Sequence, residues 1–257
     1  MTDRPKVVVV DTEGPVRAAF TTRAGGVSRG PWAALNLGAD GGDDPASVRA
    51  NRERLAAHLA IEARAVTMVR QVHGADVLRV DAPTDPGLFT GALRGWRAAD
   101  ALVCRRAQVP LMVLGADCPP VLIWRRDGGA VGAAHAGWRG LVAGVVENAV
   151  AALGEPAALA AAIGPGIGPC CYRVSAEVVE VFRRRFGDAV IHGDRVDLAA
   201  SARRALIAGG VPEGSITALA TCTSCDGERW FSHRASGGTC GRHAGIIWAT
   251  DEGVPHA

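Results

Sequence analysis

The sequence of 257 residues has almost no lysine and no large excess of charge of either sign. Lys6 is the only lysine among 28 basic residues, which oppose 26 acidic ones and leave a formal net charge of +2. Without a lysine deep in the chain, Schiff-base chemistry, pyridoxal phosphate enzymes and a Gly-Lys-Ser/Thr phosphate loop are excluded. The near-neutral balance argues against nucleic acid as a partner. Anionic ligands must therefore be bound by arginine or by backbone amides.

Long hydrophobic runs are also missing. The valine run Val7 to Val10 is too short for the core of a signal peptide, and no apolar stretch approaches the ~18 residues that span a bilayer. We therefore expect a cytoplasmic protein without a membrane partner. In the cytoplasm the 7 cysteines stay reduced, which favours metal binding or catalysis over disulfides.

Neither an internal repeat nor a serine- and proline-rich linker divides the chain, so we expect one domain over residues 1–257. An N-cap and a first-turn proline at Asp44 and Pro45 begin an amphipathic helix that continues through His58. Further helical patterns are Leu141 to Leu153, Ala176 to Phe186 and Asp197 to Ala208. Runs typical of strands are Val7 to Val10, Arg17 to Thr22, Ala65 to Val72, Val77 to Val80, Ala101 to Cys104, Leu111 to Leu114, Val121 to Trp124, Ala130 to Ala134, Leu159 to Ile163, Ile216 to Ala220 and Ala244 to Trp248. Strands mixed with helices predict an α+β or mixed three-layer fold, with mixed sheets and packed helices.

Three segments share one design, in which a strand-like run ends in a glycine-containing turn that carries a potential metal ligand. The segments QVHGADV, GADCPPVLI and AAHAGWRG supply His73, Cys118 and His135. If these strand ends converge, two imidazoles and one thiolate form a three-ligand zinc site with a fourth position for water, which is the layout of a catalytic zinc. The alternatives are packed or surface histidines and a buried free cysteine.

Polar residues near these turns are candidates for substrate contacts. Asp117 is predicted to orient a zinc-bound water or a ligand imidazole, or else to bond its own backbone in a turn. Asn36 is a candidate for the ribose or the base, although turn chemistry is the more common role. Without lysine, arginine forks are the natural holders of phosphate. The candidates are Arg23, Arg52, Arg139, Arg234 and Arg242, with Arg52 and Arg139 first and a solvated surface position as the alternative for each.

The C-terminal segment contains Cys222-x2-Cys225 followed by Cys240-x2-His243, which is the ligand spacing of a zinc ribbon. Two interpretations remain open at this stage. Either these four residues bind a second, structural zinc ion, or Cys240 and His243 are substitutions within a packed loop.

Seven motifs follow one another in order over nearly the whole chain. They are TTRAGGVSRGPWAALNLG at Thr21 to Gly38, NRERL at Asn51 to Leu55, QVHGADV at Gln71 to Val77, AADALV at Ala98 to Val103, GADCPPVL at Gly115 to Leu122, AHAGWRGL at Ala134 to Leu141 and AIGPGIGPCCYRV at Ala162 to Val174. In this order they resemble the laccase-domain family of purine nucleoside phosphorylases, also called YfiH-like or multicopper polyphenol oxidase domain proteins.

The resemblance implies a laccase-domain (YfiH-like) fold and a Zn2+ site of two histidines and one cysteine, which falls on His73, Cys118 and His135. It also implies phosphorolysis of adenosine, inosine, guanosine and 5′-methylthioadenosine, with hydrolytic deamination of adenosine as a second activity. The partners would then be purine nucleosides and phosphate, and the protein would be a monomer or a homodimer. Zinc suits deamination because it lowers the pKa of a bound water to about 7.

Other function classes remain alternatives. Zinc would equally serve an amidase that edits muramyl-amino acid precursors of peptidoglycan, a role also attached to relatives. Copper-linked oxidation of phenols is disfavoured, because copper oxidases of the usual kind need many histidine ligands and the chain has 7 histidines. A binding module is the non-enzymatic alternative, and a zinc ion whose fourth position is closed by protein would support it.

Overall fold

Two β-sheets packed face to face form the centre of the molecule, and helices cover the outer face of each. The computed structural model describes residues 4–12, 14–80, 82, 89 and 96–251. Within them the strands are β1 (Val7–Val10), β2 (Val16–Thr21), β3 (Val77–Val80), β4 (Ala101–Cys104), β5 (Leu111–Gly115), β6 (Pro120–Arg125), β7 (Val131–His135), β8 (Leu159–Ile163), β9 (Ile191–His192), β10 (Arg195–Val196), β11 (Ile216–Ala218) and β12 (His243–Ala249). The α-helices are α1 (Pro45–His58), α2 (Trp138–Ala143), α3 (Val145–Leu153), α4 (Ala176–Phe186) and α5 (Leu198–Ala208).

The larger sheet has the strand order β11-β8-β6-β7-β4-β3, and the smaller sheet has the order β1-β2-β12-β5. Side chains alternate between the two faces of each strand. In β4, Ala101 and Val103 face the helices, whereas Leu102 and Cys104 face the smaller sheet. The core between the sheets is completed from the other side by residues such as Phe20. The apolar run of β4 thus becomes a strand buried on both faces, as its continuous hydrophobicity predicts.

Helices form the outer layers. On the larger sheet, α3, α4 and α5 bury an apolar cluster that includes Val146, Phe182 and Leu206. On the smaller sheet, α1 contributes Leu55 and Ala56 to a separate cluster. The carboxylate of the α1 N-cap, Asp44, accepts hydrogen bonds from the backbone N–H groups of the first turn, as the sequence predicts. The layers therefore follow the order helix, sheet, sheet, helix.

The prediction of mixed sheets with packed helices is confirmed, and four layers replace the predicted alternative of three. Two element predictions are wrong. The helix predicted over Leu141 to Leu153 is two helices, because Gly144 adopts the left-handed conformation with φ of 91° and ends α2. The strand predicted over Ala65 to Val72 makes only isolated bridges at Thr67 and Arg70. No helix within the described ranges is long and apolar enough to cross a membrane.

Strand pairing brings several connections to one edge of the molecule. Since β7 is antiparallel to both β4 and β6, the end of β7 lies beside the starts of the other two strands. His135 is paired with Pro120, and Ala134 is paired with Ala101. The connection from β5 to β6 crosses from the smaller sheet to the larger one at this same edge. Residues just before β4, just before β6 and at the end of β7 therefore meet.

Candidate metal centre and its pocket

The structure brings His73, Cys118 and His135 together at this edge. His73 lies in the turn before β3, Cys118 in the connection between β5 and β6, and His135 at the end of β7. Their ligand atoms all lie within 4.8 Å of one another. The rings of the two histidines meet edge to face, with 4.8 Å between centroids. We refer to these three residues as the candidate metal centre.

A buried carboxylate orients both histidines. Asp100 Oδ1 accepts a hydrogen bond from the backbone N–H of His73 at 2.9 Å and lies 2.9 Å from Nδ1 of His135. Its Oδ2 accepts from the backbone N–H groups of Val72 at 3.0 Å and Gly74 at 2.7 Å. Because an ionised carboxylate only accepts, Nδ1 of His135 carries the hydrogen and leaves Nε2 as the ligating nitrogen.

Asp100 also supports an unusual backbone. His73 has a φ of 60°, in the left-handed region that residues other than glycine rarely adopt. This conformation turns consecutive N–H groups inward, where they form a concave anion site. Burial raises the pKa of Asp100, but the hydrogen bond from His135 and those from the backbone outweigh it and hold the pKa below its usual value. The carboxylate therefore stays ionised and holds the turn.

The thiol and the imidazole of the centre shift each other's protonation. Burial raises the pKa of Cys118, but the charge of His135 and hydrogen bonds from both histidines lower it to about 6. Burial lowers the pKa of His135, but the charge of Cys118 and the hydrogen bond with Asp100 raise it to about 9. At neutral pH the protein alone thus carries a thiolate beside an imidazolium. A metal ion that binds this thiolate replaces the proton of His135.

The space between the three side chains fits a metal ion. A Cβ atom added at Gly137 would lie 3.0 Å from Cδ2 of His73 and 3.1 Å from Sγ of Cys118, closer than such atoms normally approach. Glycine at this position leaves that space open. Two imidazole nitrogens and one thiolate are a donor set typical of zinc.

The centre opens into a cavity of about 500 Å³, which is within the size range of small-molecule sites. Arginine dominates the charged side chains in the described lining. The arginines are Arg52, Arg70, Arg139, Arg234 and Arg242, and the carboxylates are Asp40 and Asp117. The positive excess favours an anionic ligand or an anionic part of one.

Two of the predicted phosphate contacts differ strongly in environment. Arg139 is exposed and stacks over the Trp138 ring with 4.5 Å between Cζ and the ring centroid. Arg52 is buried and donates hydrogen bonds to the carbonyls of Leu37 and Phe89. Burial lowers its pKa to about 10, against the opposing charge of Asp40. Both arginines therefore bring positive charge to the cavity. The guanidinium of Arg52 is largely engaged by hydrogen bonds, whereas none from the described residues engages that of Arg139.

Asn36 and Arg23, two further predicted substrate contacts, make hydrogen bonds within the protein. The Asn36 amide donates to Gly38 O and to Asp43, and accepts from the N–H groups of Gly38 and Arg242. Its hydrogen-bonding capacity is therefore used within the protein. Arg23 donates to two backbone carbonyls and lies outside the residues that line the cavity. Both side chains thus fix loops.

Asp117 lines the cavity, and since Asp100 orients the imidazole of His135, the predicted role left to Asp117 is to orient a zinc-bound water. Asp117 Oδ1 accepts from the Thr223 hydroxyl at 2.6 Å, and Oδ2 accepts from the backbone N–H of Arg234 at 2.7 Å. The carboxylate thus binds the β5–β6 connection to a later loop. The sequence prediction missed Asp100, and its available signal was an acidic residue directly before the apolar run of β4. Tyr172, also missed, lines the same cavity.

Of the two interpretations of the C-terminal segment, the zinc ribbon is wrong, because its four residues do not meet. Cys222 and Cys225 instead meet Cys170 and Cys171, and the four sulfur atoms lie within 4.8 Å of one another. We call these four residues the cysteine cluster. The other predicted members are buried elsewhere: Cys240 packs against Ala116 and Phe231, and His243 begins β12. Cys222 therefore lies beside Cys170 and Cys171, and not beside Cys240.

The fold and this site define an α/β protein with a candidate His–Cys–His metal centre where two sheets meet. The family described as multi-copper polyphenol oxidoreductase laccase matches residues 17–250. The chain belongs to this family, which confirms the resemblance inferred from the seven motifs.

Named relatives and solved structures agree. The chain is 41% identical over 243 residues to purine nucleoside phosphorylase ORF3 of Streptomyces griseus, across 91% of this chain and 95% of the relative. It is 40% identical over 240 residues to purine nucleoside phosphorylase YfiH of Escherichia coli K12, across 91% and 93% of the two chains. The crystal structure of the Bacillus licheniformis hypothetical protein YfiH matches with a TM-score of 0.91 and 30% identity, across 97% of this chain and 98% of the other. YlmD from Geobacillus stearothermophilus matches with a TM-score of 0.87 and 35% identity, across 94% of both chains.

Proposed function

We propose that this protein is a zinc-dependent purine nucleoside phosphorylase of the cytoplasm. It cleaves adenosine, inosine, guanosine and 5′-methylthioadenosine with phosphate, and releases the base and the corresponding ribose 1-phosphate. The observation that carries this proposal is the opening of the candidate metal centre into a cavity with an excess of arginine. The names of the relatives support the same reaction.

His73, Cys118 and His135 would hold the zinc ion, with Asp100 fixing the orientation of the histidines. When bound, zinc supplies a Lewis acid that polarises an oxygen or nitrogen of the substrate. The carboxylate of Asp100 lies behind the ligands and holds one hydrogen of His135 on Nδ1, so that Nε2 is the nitrogen left for the ion. The protein thereby presents a preorganised centre to the substrate.

Phosphate is the nucleophile of the proposed reaction, and its negative charge must be placed against C1′ of the ribose. Arg139 is well suited to bind it, because no hydrogen bond or ion pair within the described residues engages its guanidinium. The contact with Trp138 fixes the plane of this group while its N–H donors remain available. Arg52 adds a buried positive charge at the same cavity.

Negative charge develops on the purine as the glycosidic bond breaks, and a hydrogen-bond donor stabilises it. Tyr172 supplies such a donor at the cavity. Burial, followed by the charge of Cys118, raises the pKa of Tyr172 to about 12. Its phenol oxygen therefore keeps its hydrogen at neutral pH and donates it to an acceptor atom on the base.

Turnover of adenosine with and without phosphate tests the proposal. Chromatography should show adenine and ribose 1-phosphate only when phosphate is present. Deamination, the second activity that we propose, should appear as inosine in the phosphate-free reaction. Release of adenine with free ribose, independent of phosphate, would show a hydrolase and overturn the assignment.

Arg139→Ala should raise the KM for phosphate or lower kcat by at least ~10-fold, because a charge-assisted contact is lost. Arg139→Lys should recover part of the loss, since it keeps the charge but not the planar fork. Arg184→Ala is the matched control, because Arg184 is an exposed arginine on α4 outside the cavity. Equal kinetics in Arg139→Ala and the control would remove Arg139 from the phosphate site.

A further inference from the structure

The cysteine cluster lies outside the residues that line the catalytic cavity, and its four sulfur atoms approach one another closely. Cys225 Sγ is 3.6 Å from Cys170 Sγ and 3.4 Å from Cys171 Sγ. A tetrahedral zinc site with Zn–S bonds of about 2.3 Å separates its sulfurs by about 3.8 Å. The spacing in the cluster is therefore close to that of four thiolates around one ion.

The backbone holds the two halves of the cluster together. Cys171 N–H donates to Gly168 O at 3.0 Å, which forms the turn after β8. Cys225 N–H donates to Cys222 O at 3.1 Å, which returns the second cysteine of the Cys222-x2-Cys225 pair towards the first. A bridge between Gly166 and Cys222 joins these segments. Cys171, Cys222 and Cys225 thus start from paired or hydrogen-bonded backbone, and Cys170 precedes Cys171 directly in the same turn.

One hydrogen bond is directed at a sulfur atom. The N–H of Gly168 donates to Sγ of Cys222 at 3.2 Å, and such a donor favours the thiolate over the thiol. A Cβ atom at Gly168 would lie 3.2 Å from Sγ of Cys170, so glycine permits the close approach. This combination of a tight glycine turn, an N–H donor and converging sulfurs is the environment that a thiolate–metal site needs.

We propose that Cys170, Cys171, Cys222 and Cys225 bind a second zinc ion with a structural role. Each thiol that enters the coordination shell loses its proton to solvent, so that the divalent ion is held by thiolates with no change of oxidation state. Four protein ligands close the coordination shell and leave no position for water or substrate, which distinguishes this site from the candidate metal centre.

The arrangement of sulfurs favours a metal over disulfides. A disulfide would bring one pair of sulfurs to about 2.05 Å and separate it from the others. Here Cys225 has two sulfur neighbours at nearly equal distances. Cys170 and Cys171 are adjacent in sequence and face the same partner. A single ion satisfies all of these contacts at once.

The proposed ion would fix one wall of the catalytic cavity. The loop that carries Cys170 and Cys171 continues into Tyr172, which lines the cavity. The segment that carries Cys222 continues into Thr223, whose hydroxyl donates to Asp117. Further along, Arg234 Nη1 donates to Arg173 O, so the two loops also meet beyond the cluster. A zinc ion at the cluster would hold these loops in register.

Metal analysis of the full-length protein, purified under reducing conditions, tests the proposal. We expect about two zinc ions per chain in the wild-type protein and about one in the Cys170→Ser/Cys225→Ser double variant. Both substituted residues are exposed, so serine disturbs little packing. Cys118→Ala should also retain about one ion, at the cluster.

Cys240→Ser is the matched control, because it removes a cysteine that the zinc-ribbon spacing would include but the cluster does not. We expect it to keep both ions. Cobalt substitution gives a second measurement that does not depend on a variant. Cobalt held by four thiolates has strong sulfur-to-metal charge-transfer bands, and these are much weaker at a site with two histidines and one cysteine.

Equal zinc content in the double variant and the wild-type protein would overturn the proposal. A disulfide within the cluster, seen as a wild-type mass lower than that of the reduced chain by two thiol hydrogens, would also overturn the proposal if only one ion is bound. Iron or copper in place of the second zinc would overturn the assignment of the metal. If the double variant does not fold, the cobalt spectrum of the wild-type protein decides, and the absence of four-thiolate coordination in it would refute the site.

Discussion

Replacing Asp100 by asparagine separates the fold of the site from its competence to bind metal. The shape of the side chain is retained, but one of the two oxygens becomes an NH2 group. Each oxygen of Asp100 now accepts from two nitrogens. The amide oxygen can still accept from the backbone N–H groups of Val72 and Gly74, which leaves the NH2 group facing His73 and His135.

The histidine can accommodate that change only by exchanging its tautomer. Nδ1 of His135 then accepts a hydrogen bond from the amide, and the hydrogen moves to Nε2, the nitrogen needed for ligation. We expect metal affinity to fall by ~10- to 100-fold, the usual effect of removing such a supporting carboxylate. The backbone N–H of His73 loses a charge-assisted hydrogen bond, so the free energy of unfolding should fall by about 1.5–3 kcal/mol.

Competition with a chromophoric chelator measures the affinity, and urea unfolding of the metal-free protein measures the stability. Asp117→Asn is the matched control, because Asp117 is a buried carboxylate of the same cavity that bonds to Thr223 and Arg234 rather than to a ligand histidine. It should keep the wild-type metal affinity. Wild-type affinity in Asp100→Asn, or an equal loss in both variants, would refute the tautomer argument.

Two further perturbations test other parts of the structure. Gly137→Ala should weaken metal binding by ~10-fold or more, because the added methyl group enters the space between the ligands. Gly214→Ala is the control, since no atom lies within 4 Å of its Cβ position. In the same chelator assay it should bind metal as tightly as the wild-type protein does. Burial lowers the pKa of His243 from 6.5 to about 3, against a backbone hydrogen bond with Pro165 that raises it and with a smaller contribution from the charge of Arg242. The unfolded chain therefore takes up this proton first as the pH falls. Its contribution to the free energy of unfolding should be complete above about pH 6.5 and decrease by about 2 kcal/mol between pH 7 and pH 5. In urea titrations, the free energy of unfolding of His243→Gln should lack this part of the pH dependence, whereas His58→Gln, at an exposed position, should keep it. An unchanged pH dependence in His243→Gln would contradict the assignment.

Short apolar runs were enough to predict most of the central strands, because burial on both faces demands continuous hydrophobicity. The runs at Ala101 to Cys104 and Leu159 to Ile163 coincide with β4 and β8, in which every residue is buried. The run at Ala65 to Val72 is also rich in apolar residues but makes only isolated bridges. Pairing with neighbours, which is a tertiary property, decided this case.

The candidate ligands were predictable because each follows a strand-like run in a glycine turn. Asp100 was not, since a carboxylate before a strand gives the same pattern whether it faces solvent or three inward N–H groups. The cysteine cluster was missed for a different reason. Cys222 has a ligand-like spacing to Cys240, and only the bridge to Gly166 shows that its neighbours are Cys170 and Cys171.

The candidate ligands come from segments that are distant in sequence and meet only after β4, β6 and β7 have paired. Loop-closure entropy makes such contacts late events in folding. During synthesis, the three residues of the candidate metal centre therefore come together only after β7 has left the ribosome and has paired with β4 and β6. Binding of the proposed ion would then follow folding, and its binding energy would add to the stability of the folded protein by mass action. In that order of events the folded protein selects the ion, and the ion does not serve as a template for folding.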